Sequence, residues 1–197
     1  MLKSSYTDNL IEAGCDEAGR GCLAGPVFAA AVIFPHGYVN EFINDSKKIS
    51  AQQRNILRTV IEHDALAWNV AMVDNHEIDS INILQASIKA MHLALDKLSV
   101  KPELILVDGN HFKVYKDIEY QCIVKGDGKF LSIAAASILA KTYRDEFMMK
   151  LNDKYPEYGW VKNKGYPTLE HRQAVLSFGF SPYHRKTFSV GKGNSKF

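Results

Sequence analysis

The sequence predicts an α/β fold with a helical, basic C-terminal part, and three observations carry that prediction. Five short apolar runs read as strands, and segments with helix-start and helix-stop signals fall between and after them. Acidic residues stand at the ends of two of the most buried runs. No internal repeat and no Pro/Gly/Ser-rich linker divides the chain. The 197 residues are therefore read as one domain spanning 1–197, with the helical basic part at about 156–197. A chain of this length buries roughly 70% of its unfolded surface, enough for a core without disulfides or a structural metal.

The elements follow in order. Leu10 to Asp16 is a strand expected to end at the acidic pair Asp16-Glu17, and Gly19-Arg20-Gly21 is a tight turn. Val27 to Phe34 is a strongly apolar second strand, closed by Pro35. Ser50 and Gln53 form a capping box for a helix running to about Ile61. Ala65 to Val73 is the third strand. From about Asn82 to Leu98, a helix places Ile83, Ala86, Ile88, Ala90, Met91, Ala94 and Leu95 largely on one side. Leu104 to Val107 is a buried strand before Asp108-Gly109, and Tyr120 to Val124 is the fifth. The longest helix runs from about Leu131 to Lys154, and its small opening residues, Ser132 to Ser137, suit close packing on a sheet. Thr168 caps a last helix, and Gly179 stops it.

Composition excludes several classes. Hydrophobic residues make up 46% and charged residues 23%, as in ordinary globular proteins. No apolar run approaches the ~20 residues of a membrane span, and no signal peptide is legible at the start. Cys15, Cys22 and Cys122 form no C-x-x-C pair. They read as free thiols in a reducing compartment, hence a cytoplasmic protein, with Cys15 and Cys122 buried in strands. The net charge of +2 hides an asymmetry. Residues 159–197 carry Lys162, Lys164, Arg172, Arg185, Lys186, Lys192 and Lys196 against one acid, Glu170. That end reads as a footprint for phosphate contact or as a solvated tail.

The acids carry the chemistry. Asp16, Glu17, Asp108 and Asp127 lie beside apolar strands or at the start of the long helix. Two carboxylates about 4 Å apart repel by roughly 4 kcal/mol at an effective dielectric near 20, so a fold that gathers them calls for a cation. All-oxygen ligands select Mg²⁺ or Mn²⁺, and a pair of ions suits attack on a phosphodiester. Adjacent strand residues face opposite ways; Asp16 and Glu17 reach one site only if the strand ends or bends there. Asp145 on the long helix competes with Asp127 for the fourth place. His111 reads as a surface residue or as a proton relay or substrate contact near Asp108, and Lys47, Lys48, Lys125 and Lys129 as loop cations that contact phosphate or are simply solvated. Gly19-Arg20-Gly21-Cys22-Leu23-Ala24 matches a dinucleotide fingerprint in letters, but a strand follows it where a helix is required.

Taken together, these blocks resemble ribonuclease HII. They are Gly14 to Gly21 with Ala24-Gly25-Pro26-Val27, Asp45 to Ile49, Val107-Asp108-Gly109, Lys125-Gly126-Asp127, Ser132 to Lys141 with Arg144-Asp145, Lys164 to Thr168, Glu170-His171, and His184 to Phe188. They occur in order over nearly the whole chain. The resemblance implies a ribonuclease H-like fold with a central mixed five-stranded sheet flanked by helices. It implies metal-dependent cleavage of RNA paired with DNA, including 5′ of single ribonucleotides in duplex DNA, with Mn²⁺ or Mg²⁺, two ions once substrate is bound, and a nucleic-acid partner. By the same resemblance Asp16, Glu17, Asp108 and Asp127 are the catalytic and metal-binding acids. Gly19, Arg20 and Gly21 read the ribose, Tyr166 packs on the sugar, and Lys47 is a substrate contact. Pro167 replaces a frequent glycine after the tyrosine, and Cys22 a frequent proline. Neither the extra N-terminal domain of ribonuclease HIII nor a clamp-docking tail is expected, no membrane partner is expected, and a monomer is the default expectation.

Overall fold

A mixed five-stranded sheet with helices on both faces organises the molecule, seen in a computed structural model that describes residues 1–191. The strands are β1 (Glu12–Ala18), β2 (Val27–Ile33), β3 (Ala67–Val73), β4 (Leu104–Asp108) and β5 (Glu119–Ile123), in the order β3-β2-β1-β4-β5. β1 to β3 form an antiparallel meander, and β4 and β5 add parallel to β1. The helices are α1 (Ala51–Asp64), α2 (Asn75–Ile81), α3 (Ile83–Asp96), α4 (Leu131–Asn152), α5 (Trp160–Asn163) and α6 (Leu169–Phe178).

β2 is buried along its whole length, and its period of two divides the core. Val27, Ala29, Ala31 and Ile33 pack with Ala86, Ala90 and Met91 of α3. Ala30 and Val32 pack with Ala134, Ala135 and Ile138 of α4 and with Leu57 and Ile61 of α1. The small residues of α4 meet a matching gap in β1. A Cβ built on Gly14 would lie 2.2 Å from the Ser132 carbonyl carbon and 2.4 Å from the Ile133 nitrogen. Glycine is thus required by the closeness of helix and strand, which also sets α4 directly behind Asp16.

The capping predictions hold. Ser50 and Gln53 form both bonds of the capping box, and Thr168 accepts a backbone N–H at the start of α6; the cap that Asn82 gives α3 is not foreseen from sequence. α2, a short helix capped by Asp74, has no counterpart in the sequence prediction, because seven residues give too little periodicity to read. β1 does not stop at the acidic pair: its pairing with β2 continues to Ala18↔Phe28. Cys122 is only half-buried, since β5 is an edge strand. Among the described residues, no helix is long and apolar enough to cross a membrane.

The basic end is corrected most. Arg185 is 1% exposed and spends its guanidinium on backbone carbonyls. Arg172 likewise bonds the carbonyls of Pro167 and Val190. Arg185 is enclosed and Arg172 half-buried, while Lys162 and Lys186 are exposed. Lys192 and Lys196 lie outside the described residues.

Candidate metal centre and adjoining cleft

The parallel pairing of β1 with β4 ends at Cys15↔Val107. Asp16 and Glu17 therefore project past the last rung beside β4, whose own final residue is Asp108. A left-handed Lys125 leads into a single 3-10 turn, Gly126–Gly128, that carries Asp127. The turn is tied to β4 by the Gly126 N–H, which donates to Asp108 Oδ1 at 2.7 Å. One carboxylate oxygen from each of Asp16, Asp108 and Asp127 thereby falls within 4.8 Å of the others.

Electrostatics make this cluster costly without a cation. Burial, then the charges of Glu17 and Asp108, hold the Asp16 carboxyl well above the usual carboxylate range, against the Ser137 hydroxyl and the Glu17 N–H, which favour its charged form. Burial and the charge of Asp127 raise Asp108. Burial also raises Glu17, opposed by Arg20 at 3.1 Å. The donors are oxygens only, in a group that repels itself. That chemistry fits a hard divalent cation, and the residues placed to hold one are Asp16, Asp108 and Asp127, with Glu17 alongside.

Asp16 and Glu17 belong to opposite faces of β1, yet both line one open cleft of about 290 Å³, together with Gly19, Arg20, Gly21, Lys47, Asp108, Lys141 and Tyr166. The two glycines differ. Gly19 has φ +96, and a Cβ there would strike Arg144 Nε at 2.0 Å, so the fold itself requires glycine. Gly21 has an ordinary φ and open space where its Cβ would be; nothing in the fold demands a glycine there, and its bareness leaves room for a ligand.

Other sequence-predicted residues sort clearly. Lys47 Nζ sits 3.0 Å from Asp127 Oδ2 with 76% of its side chain exposed. Burial lowers its pKa, but the bond and charge of Asp127 outweigh that and raise it. Its loop is pinned by the Ser46–Ser137 hydroxyl contact at 2.9 Å and by Arg54, which bonds the Ser46 and Ile49 carbonyls. Tyr166 is 37% exposed, with Lys141 Nζ 5.2 Å from its ring centre and the Arg144 guanidinium 5.8 Å away. His171 Nδ1 contacts the Tyr166 carbonyl at 2.9 Å. Asp145 pairs with Lys141 at 2.7 Å instead of joining the acid cluster. His111, Lys48, Lys125 and Lys129 are exposed.

Sequence reasoning gave no role to Ser137, Lys141 or Arg144. Their spacing along α4 was the available signal, because i, i+4 and i+7 share one helical face. Arg185 had no such signal.

The sequence profile of the ribonuclease HII family matches residues 13–190. The chain is 61% identical over 190 residues to the ribonuclease HII of Parabacteroides distasonis, covering 96% of each chain. It is 60% identical over 190 residues to that of Bacteroides thetaiotaomicron, covering 96% of this chain and 95% of the other. Among solved structures, the ribonuclease H2 of Pyrococcus horikoshii matches with a TM-score of 0.78 at 27% identity, over 91% of this chain and 94% of that one.

Proposed function

This chain belongs to the ribonuclease HII family, and from that premise we propose that it cleaves the RNA strand of RNA–DNA hybrids and nicks 5′ of single ribonucleotides in duplex DNA. The product ends are a 3′-hydroxyl and a 5′-phosphate. The observation that carries this reading is a glycine-flanked turn that shares one cleft with Asp16 and Asp108, the two aspartates that cluster with Asp127.

Asp16, Glu17, Asp108 and Asp127 hold two Mg²⁺ or Mn²⁺ ions in this reading. Such ions supply Lewis acidity to the phosphodiester and ease deprotonation of the attacking water. The remaining work falls to the chain itself. Ser137 steadies Asp16 from α4, and the Gly126 N–H fixes one oxygen of Asp108, leaving the other oxygens to face the cluster. Lys47 balances Asp127 and lies within reach of a phosphate entering beside it. The bare backbone at Gly21 lets the turn approach a ribose closely, and the 2′-hydroxyl there is what separates RNA from DNA. Tyr166 offers a partly exposed ring for the sugar next to the cut. The chain is read as a monomeric cytoplasmic enzyme, in keeping with its three free cysteines.

The test is a labelled duplex carrying one ribonucleotide, incubated with Mg²⁺, Mn²⁺ or chelator. Metal-dependent nicking 5′ of that residue is expected. Tight binding with no cleavage under any metal would identify a binding module instead and overturn the reading.

A further inference from the structure

Arg185 is a fully buried cation with no carboxylate in ion-pair range among the described residues. Its three donor nitrogens each reach a carbonyl: Nη2 to Gly19 at 2.8 Å, Nη1 to Arg20 at 2.9 Å and Nε to Gly25 at 3.0 Å. Its own N–H donates to the Leu23 carbonyl at 2.8 Å. Burial lowers its pKa to about 10, so it stays charged at neutral pH.

The consequence follows from peptide geometry. In a trans peptide the C=O of one residue and the N–H of the next point in opposite directions, and none of these bonds is cis. Drawing the Gly19 carbonyl onto Arg185 turns the Arg20 N–H away from it, and drawing in the Arg20 carbonyl does the same to the Gly21 N–H. The cleft is lined by Gly19, Arg20 and Gly21, and Arg185 is not among its lining residues. Among the described residues these two N–H groups donate to nothing. They are a pair of unspent donors on a turn that lines the same cleft as Asp16 and Asp108.

We infer that Arg185 is a positioning residue for ribose selectivity: its guanidinium holds the Gly19 and Arg20 carbonyls so that the Arg20 and Gly21 N–H groups face the sugar in the cleft. The inference rests on the hybrid-cleaving reading above and names a residue that never touches substrate. A lysine cannot take its place, because a single ammonium lacks the fixed fork that serves three carbonyls at once.

The experiment compares wild type with Arg185→Lys. The KM and kcat for a duplex with one ribonucleotide are measured beside the Ki of the same duplex in all-DNA form as competitor, with melting temperature as the control for folding. The expected result is a rise in KM of about tenfold, the worth of one or two neutral hydrogen bonds, with kcat and the all-DNA Ki within twofold of wild type. Unchanged KM, or KM and Ki weakening in step, overturns the inference. A second measurement needs no variant. In wild type with chelator, amide exchange at Arg20 and Gly21 is expected to slow with the ribonucleotide duplex and not with all-DNA. Equal protection by both, or by neither, overturns it. Absence of metal-dependent cleavage by wild type would instead count against the hybrid-cleaving reading.

Discussion

Replacing Asp108 with Asn should stabilise the metal-free protein while abolishing cleavage. Asp108 shares a 4.8 Å cluster with Asp16 and Asp127. At that distance and an effective dielectric near 20, one like-charge pair costs about 3.5 kcal/mol, and Asp108 takes part in two. Three features reduce this. Burial and the charges of Glu17 and Asp108 disfavour the charged form of Asp16, Lys47 offsets Asp127, and Asp108 is itself partly exposed to water. A net gain of about 1–2 kcal/mol remains, or about 2–8 °C in melting temperature for a chain of this size. The bond from the Gly126 N–H survives, because the Asn oxygen accepts it as well.

The pH dependence has a definite sign. The folded pKa of Asp108 is raised, so folding binds protons that the unfolded chain releases, and stability falls as pH rises from the unfolded value through the folded one. The advantage of the Asn variant should grow over that window and level off above it. Thermal unfolding in chelator, repeated across pH and then with Mn²⁺, measures both effects. Bound metal should stabilise wild type, by about 2.7 kcal/mol at a hundredfold excess over Kd, and should stabilise the variant far less. A variant that melts below wild type in chelator, or gains equally from Mn²⁺, would refute the self-repelling metal site.

Three further outcomes are expected. Tyr166→Ala should lower cleavage at a single ribonucleotide roughly tenfold through lost stacking, with little change in melting temperature; equal cleavage rates would remove the ring from the site. Gly14→Ala should cost at least about 2 kcal/mol in urea unfolding, since the new carbon meets Ser132 and Ile133 backbone; a cost below about 1 kcal/mol would mean that α4 can retreat. His184 is held down to about 4 by burial and by His171. It stays neutral while accepting the Ser181 N–H, so the folded protein binds fewer protons than the unfolded one between about pH 6.5 and 4. Stability should then drop by about 3 kcal/mol on acidification through that window. His184→Gln should lose that part of the slope in denaturant titrations across pH, and identical slopes would contradict it.

Much of this fold is legible in local sequence because its elements are locally consistent. Ser50 and Gln53 announce α1 through bonds made within four residues, and the unbroken apolar run of β2 announces a strand covered on both faces. Where the signal is short or the context long-range, reading fails. The seven residues of α2 lack periodicity, and nothing local says that β1 continues past Asp16 while its parallel partner stops at Cys15. That offset is what lets adjacent residues on opposite faces of one strand share a cleft.

The sequence by itself singled out the residues proposed to carry the chemistry. The acids, the glycine turn and Tyr166 are written in contiguous blocks whose resemblance to ribonuclease HII spans the chain. Tertiary structure alone decided the partnerships. Asp127, 19 residues beyond Asp108, joins the cluster through the Gly126 N–H, whereas Asp145 is taken by Lys141. Arg185, which in sequence is one more charge in a basic end, closes beneath a turn 165 residues away. Net charge counts side chains without regard to burial. A guanidinium in water meets phosphate, and the same group enclosed by three carbonyls becomes part of the scaffold that aims the backbone.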